Sequence, residues 1–270
     1  MNFIGIIHIY NEEYLLPFWL NHHKNIFDKI IIINYHSTDN SINICKEIIP
    51  NCEIITTRNN CFEAQLVDNE VMDIENKYEG FKICLNITEF LVTYGKNIKE
   101  ILNQYLNEKI MLKIPAYIPI SLNKYYPKNN EELFKNLCNE DVKFANDLTT
   151  KINIERGCRY LHNHINGNYT VGRHGTLNNE KYFNEFIILT LYFYPNNEYF
   201  MKRKMQIKSK IPQSDINIQR GIHHFWTEEY INDNMKNYYN DNNQNNKSYP
   251  LKILDLELYN YILNESINMQ

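Results

Sequence analysis

The run Phe81-Lys82-Ile83-Cys84-Leu85-Asn86-Ile87-Thr88-Glu89-Phe90-Leu91-Val92 constrains this chain more than any other stretch. Its first half leaves little for water, since Ile83, Cys84, Leu85 and Ile87 are all apolar. A strand without a polar face needs cover on both sides, which is the environment inside an α/β sheet. Polar residues then appear where such a strand should run out, at Asn86, Thr88 and Glu89. In open α/β sheets ligands bind at the carboxyl ends of the strands. Two readings follow: a strand running into a plain turn, or a strand that delivers a polar cluster to a site.

The chain before it supplies the partners such a strand needs. Asn2 to Tyr10 reads as a first strand, too short for a membrane span and without a basic leader, and it meets Glu12 and Glu13 at once. Asn11 suits a helix start, and Leu15, Leu16, Trp19 and Leu20 fall on one helical face. Ile30 to Ile33 is a second buried strand ending in Asn34-Tyr35-His36. Ser37-Thr38-Asp39-Asn40-Ser41 turns into a helix with Ile42, Cys45, Ile48 and Ile49 at helical spacing. Ile54 to Thr57 is a short third strand, and Glu63 to Lys77 a helix with Leu66, Val67, Glu70, Val71 and Ile74 on one face. Strand and helix alternating over short joints predict a parallel sheet with right-handed crossovers.

The rest is less regular. A helix is expected over Ile98 to Leu106. Met111 to Ile120 reads as a strand, placed at an edge by Pro115 and Pro119. Lys124 to Asn146 is a polar excursion with one short helix, and Arg159 to His174 alternates and holds three histidines. Ile187 to Tyr194 is apolar enough for a strand, and Glu198 to Lys208 for a basic helix. Asn232 to Tyr249 is Asn-rich and reads as a loop, with a closing helix over Leu251 to Ile262. No internal repeat is visible.

Composition excludes several classes. A net charge of -4 gives no basic footprint for nucleic acid, and eight glycines in 270 residues form no phosphate-cradling loop. The six cysteines contain no Cys-x-x-Cys pair, so reduced thiols and a soluble cytoplasmic protein are expected rather than a thiolate zinc site.

Taken together, the residues carry a family resemblance over about residues 3 to 226. Asn11-Glu12-Glu13, Leu16-Pro17 with Trp19 and His23, and Ser37-Thr38-Asp39-Asn40-Ser41 resemble the opening of GT-A-fold glycosyltransferases of the family 2 and family 92 type. Gln65 matches a Gln before a helix, and Asn86-Ile87-Thr88-Glu89-Phe90 stands where those enzymes carry Asp-x-Asp-Glu-Phe. Gly172-Arg173-His174 resembles their Gly-x-His element. Leu191 to Phe200 with Lys204 resembles a His-Phe-Pro-x-Arg-Ser-x-Glu-Gln-Phe-x-x-Lys stretch, with Tyr192 for its His and Asn196 for its Arg. His223-His224 with Phe225-Trp226 resembles the late His-Trp element, and the aromatic pair is read as core in preference to an acceptor contact at Trp226.

The resemblance implies a GT-A-like open, mostly parallel α/β sheet with an irregular carboxyl-terminal subdomain. Residues 1–110 would form the nucleotide-sugar half and 111–270 the acceptor side of the same domain. It implies transfer of a sugar from a UDP- or GDP-sugar to a glycan or glycoprotein. Tyr10, Asn11, Glu13, Asn34, Gln65, Asn86 and Thr88 would face the donor, and Glu89 and His174 would be catalytic. The cofactor it implies is Mn²⁺ or Mg²⁺. The neutral Asn86 and Thr88 weaken that expectation, because hard divalent ions want carboxylates. Three outcomes stay open: a metal-independent enzyme, a metal recruited by Glu89 and a histidine, or a binding protein without turnover. An unrelated nucleotide-binding α/β protein is a further reading, which the missing glycine loop counts against. His174 is read equally as a site residue or a hydrogen-bonded structural one. His162 and His164 have metal-like spacing without a third ligand, and Asp147 and Glu155 are general bases or surface charges. Lys202, Arg203, Lys204 and Lys208 are phosphate contacts or, as their helical context favours, a solvated face.

Overall fold

The computed structural model describes residues 1–94, 96–139, 141–146 and 158–241. It is an α/β fold with a curled open sheet and flanking helices, consistent with a GT-A-like class. In chain order the elements are β1 (Phe3–Ile9), α1 (Leu16–His23), β2 (Lys29–Asn34), α2 (Ser41–Ile48), β3 (Glu53–Thr56), α3 (Ala64–Glu75) and β4 (Phe81–Leu85). There follow β5 (Glu89–Val92), α4 (Ile98–Asn103), β6 (Met111–Ile120), α5 (Asn130–Leu137), β7 (Lys143–Asn146) and β8 (Cys158–His162). Then come β9 (Glu180–Tyr182), β10 (Ile187–Thr190), α6 (Glu198–Gln206), α7 (Gln213–Asn217) and α8 (Glu228–Asp241).

The sheet runs β3-β2-β1-β4-β8-β6-β10-β5, with β7 and β9 also paired to β6. β1 to β4 are mutually parallel, as expected of strands joined by helical crossovers. β5 begins four residues after β4 ends, yet it closes the opposite end of the strand path. Four residues span at most about 14 Å, so the sheet must roll to bring β5 back beside the end of β4.

Alternation along β1 divides the core. Phe3, Ile7 and Ile9 pack with Leu16, Trp19 and Leu20 of α1 and Cys45 of α2, whereas Ile4 and Ile6 pack with Val67, Val71 and Ile74 of α3. Gly5 lies on the α1 side with the Phe27 ring where a Cβ would stand, 2.5 Å away, so any side chain there displaces the ring. α1 also fastens β5: Trp19 Nε1 donates to the Glu89 carbonyl at 2.9 Å, and the Leu91 amide donates to His23 Nε2 at 3.1 Å.

Three expectations need correction. β6 is central, not an edge. Its first half pairs with β8 and β9, its second with β10 and β7, and Pro115 falls where the partner on one side changes. Ile187 to Tyr194 is strand only as far as Thr190, after which the Tyr192 amide turns back to the Thr190 carbonyl. The Asn-rich segment is helical through Asp241, because Ile231 and Met235, one turn apart, pack with Ile120 and Phe193 in a third apolar cluster. Residues 242–270, which include the expected closing helix, and Asp147 and Glu155 lie outside the described residues. Among the described residues no helix is long and apolar enough to cross a membrane.

Candidate functional site

The carboxyl ends of β1, β2 and β4 lie side by side: Ile9 is opposite Asn34 and Ile7 opposite Leu85. Asn34 and Asn86 therefore flank the end of β1 and do not sit at opposite edges of the sheet. What the side chains do there is less uniform.

Asn86 enters a chain of alternating charges. Arg159 grips Glu89 with two parallel bonds, Nε to Oε2 at 2.8 Å and Nη2 to Oε1 at 2.6 Å. Asn86 fills the remaining acceptor positions, its amide donating to Oε2 at 2.8 Å and its Nδ2 to Oε1 at 2.9 Å. Its own Oδ1 accepts from Arg173 Nη2 at 2.9 Å. Arg173 Nη1 in turn donates to Asp68 of α3 at 2.6 Å, and the Gly172 amide donates to the other Asp68 oxygen at 2.6 Å. Asp68, Glu89, Arg159 and Arg173 are all buried. Burial raises the pKa of Glu89, but the charge and hydrogen bonds of Arg159 and the Asn86 amide outweigh it and hold the carboxyl below the usual range. Glu89 is a permanent anion whose oxygens are all spoken for.

A tight turn aims Arg173 inward. Gly172 has φ +83° and Arg173 φ +56°, and the His174 ring lies so close that a Cβ on Gly172 would meet its Cδ2 at 2.8 Å. His174 itself is half-buried beside this turn, and its carbonyl accepts from the Tyr160 hydroxyl at 3.4 Å. Next to Arg173 stands an aromatic group. Tyr35 and Phe62 stack at 4.1 Å, and the His8 ring lies 5.9 Å from Phe62 and 6.1 Å from Tyr35. Burial first, then the charges of Arg173 and Arg159, keep the His8 pKa well below its ordinary value. Among the described residues the buried His8 Nδ1 and Arg173 Nε have no hydrogen-bond partner.

The other expected donor residues form a separate group. Asn34 Oδ1 accepts from the Ser37 amide at 2.9 Å, Asn11 Oδ1 from the Thr38 amide at 2.7 Å, and Glu13 Oε2 from the Asn40 amide at 3.2 Å. The bonds of Asn11 and Glu13 tie the loop after β1 to the turn before α2, and that of Asn34 closes this turn on itself. Gln65 is bonded along α3 to Asn69 at 3.0 Å. Tyr10 lies between the groups, its ring 6.4 Å from Phe62. The Thr88 side chain is half-buried, and its carbonyl accepts from the Leu191 amide at 2.7 Å.

Glu12, which the sequence does not single out as a site residue, is buried and paired with Arg203 of α6. Gln206, one turn on, donates to the Tyr10 and Asn11 carbonyls at 3.2 and 2.5 Å. α6 thus straps the loop after β1, and the solvated face expected for Arg203 and Lys204 is not observed: Lys204 is 6% exposed. His162 is also committed, 3.2 Å from Glu75 Oε1 and 3.0 Å from the Tyr169 hydroxyl, with its ring 6.3 Å from that of His164. Among the described residues no group of three His, Cys, Asp or Glu side chains is placed for a metal. The donors at the end of β4 also fit a divalent ion poorly. The amide oxygen of Asn86 already faces a guanidinium, and Glu89 has no open acceptor.

Comparison with known proteins places the chain loosely. No family model matches it, and no curated protein does. Among solved structures, S. aureus TarS is 17% identical over 47% of this chain and 23% of its own, with a TM-score of 0.35. HddC from Yersinia pseudotuberculosis is 11% identical over 75% of this chain and 98% of its own, at 0.38. Glucosyl-3-phosphoglycerate synthase from Mycobacterium tuberculosis, in complex with Mn²⁺, UDP and glucosyl-3-phosphoglycerate, is 8% identical over 43% of this chain and 44% of its own, at 0.31. The chain spans less than a quarter of the length of TarS. Overlaps this loose leave the site geometry as the basis for a functional reading.

Proposed function

We propose that the protein binds a nucleotide sugar at the carboxyl ends of β1 and β4 and transfers the sugar to a glycan or protein acceptor without a divalent cation. The observation that carries this reading is Arg173. Its guanidinium is fixed 2.9 Å from Asn86 Oδ1 by the buried carboxylate of Asp68, at the strand end where the resemblance puts a metal-binding aspartate. A departing nucleoside diphosphate develops negative charge, and a fixed guanidinium stabilises that charge without ligand exchange. A guanidinium carries five N–H donors, and the buried Nε of Arg173 has no partner among the described residues. Asp68 holds the cation in place, Glu89 and Arg159 hold Asn86, and the half-buried rings of His8 and Phe62, the latter backed by the buried Tyr35, offer a surface to the nucleoside.

The test is calorimetry with UDP- and GDP-sugars, in Mn²⁺ and in chelator, on the native protein and R173M. Native affinity should change by less than about threefold on chelation, and R173M should lose on the order of 10- to 100-fold, the value of one or two charge-assisted bonds. Binding abolished by chelator would overturn the reading. A second reading, a binding protein without turnover, is favoured by one observation: Glu89, the surviving acidic residue of the motif, is saturated by Arg159 and Asn86. Released nucleotide in the presence of acceptor extracts separates the two.

A further inference from the structure

The segment formed by α6 and the 3₁₀ turn after it (Ile207–Lys210) gathers Lys202, Arg203, Lys204, Lys208 and Lys210. Arg203 has its carboxylate in Glu12. Three of the lysines rest on rings instead: Lys204 Nζ is 3.3 Å from the centroid of Tyr192, Lys208 Nζ 5.3 Å from Phe225 and Lys210 Nζ 4.8 Å from Tyr10. Among the described residues none of these three ammoniums is paired with a carboxylate. The deficit is sharpest at Lys204. It is buried, its ammonium has among the described residues one hydrogen bond, to the Tyr192 carbonyl at 3.4 Å, and the neighbouring charge acting on it, that of Arg203, has its own sign. A ring face and one carbonyl replace only part of the hydration of an ammonium ion. Burial therefore pushes its pKa well down. The 3₁₀ turn Ile222–His224 packs against this face, and the buried Nδ1 of His224 has no partner among the described residues.

The geometry points to a binding site for a phosphate group formed by Lys204, Lys208 and His224, with the rings of Tyr192 and Phe225 as its walls and Lys210 at its rim. Phosphate supplies charge for the two ammoniums, and beside it Nδ1 of His224, whose ring already donates to the Lys204 carbonyl, can take up a proton and donate to a phosphate oxygen. The rings hold water away, which strengthens each contact. Lys204 and Lys208 are four residues apart, so they project from one side of the segment. Two sources share this chemistry, the diphosphate of a nucleotide and a phosphate ester on an acceptor. The site stands on different residues from the Asp68–Arg173–Asn86 arrangement and does not require it.

The experiment is calorimetric titration of the whole chain with inorganic pyrophosphate, with UDP, and with glucose 6-phosphate in the absence and presence of UDP. The proteins are the native chain, K204M, K208Q and, as a control on the same segment, K202Q. K204M and K208Q should each lose on the order of tenfold or more in pyrophosphate affinity, and K202Q should match the native protein. A parallel loss for UDP assigns the face to the donor diphosphate; a loss for pyrophosphate and glucose 6-phosphate that spares UDP assigns it to a phosphorylated acceptor. K204M should also unfold at or above the native midpoint, because it removes a buried charge that has no carboxylate. K208Q alters an exposed residue and remains informative if K204M fails to fold. The site does not exist if K204M and K208Q bind all three probes as the native protein does, or if the native protein binds no pyrophosphate. R173M does not enter this test, so its failure and that of the donor reading are separable.

Discussion

Two clusters of buried charge in this molecule are built on opposite plans. At the end of β4 each cation has its anion: Arg159 grips Glu89, Arg173 grips Asp68, and Asn86 joins the pairs. On the α6 face Lys204 is just as buried but lies against Tyr192, Phe193 and a carbonyl. The first arrangement offsets desolvation within the protein and so persists without ligand. The second leaves the deficit open. Buried paired charges make a rigid scaffold, whereas a buried cation on a ring is a place where an external anion gains most.

That contrast breaks most visibly at Arg159. R159M leaves the Glu89 carboxylate buried with only Asn86 for company, and removing one partner of a buried pair costs about 3–5 kcal/mol. Urea unfolding should show this loss, and much of it should return in the double variant E89L/R159M, which leaves no buried charge without its partner. A loss below about 1 kcal/mol would mean that the network does not hold the strand end together. Glu12, which ties the loop after β1 to α6 through Arg203, comes next. Burial, opposed by the charge and hydrogen bond of Arg203, raises its pKa from 4.5 to about 7. A raised acid binds more protons folded than unfolded between those values, so stability falls as pH rises from 4.5 to 7 and is flat outside that window. The span is worth about 3 kcal/mol at 1.36 kcal/mol per pH unit. E12Q should remove this slope; a native protein whose stability rises across the window would show that Arg203 dominates.

The scaffold was far more legible in the sequence than the charges. β1, β2, α3, β4 and β6 emerge within a few residues of their expected bounds, because period-2 and period-3.6 apolar patterns report which side of an element is buried. β6 was misplaced laterally: proline forbids one hydrogen bond, and a strand that changes partners halfway has somewhere to put it. Of the proposed site, Gly172-Arg173-His174 is legible as an element of the sequence, whereas the bond from Arg173 to Asn86 is not. Asp68 looks like an ordinary exposed helix charge until Gly172 and Arg173, 104 and 105 residues later, are folded onto it. The same holds for Glu12 with Arg203. Ion pairs between distant segments leave no periodic trace. The nearest signal was a carboxylate on an apolar face: Glu70, aligned with Val67 and Ile74, is buried and accepts from Tyr35, Thr57 and Asn59.

The smallest effect is expected at Lys210, and it sharpens the contrast because so little should happen. Its ammonium lies 4.8 Å from the Tyr10 centroid, a contact worth about 0.5–1 kcal/mol where solvent still reaches. The tether that this residue provides runs through the main chain: the Phe62 amide donates to the Lys210 carbonyl at 2.8 Å, whatever side chain is present. The Ala64 amide, bonded at 2.8 Å to Asp215, holds the same junction from the other side. K210Q keeps most of the aliphatic stem over the ring and loses only the charge, so chemical denaturation should place it within about 1 kcal/mol of the native protein. A drop of 2 kcal/mol or more would mean that Lys210 is half of an ion pair like those at the end of β4. The α6 face would then be a second scaffold of paired charge, with no place left on it for an external anion.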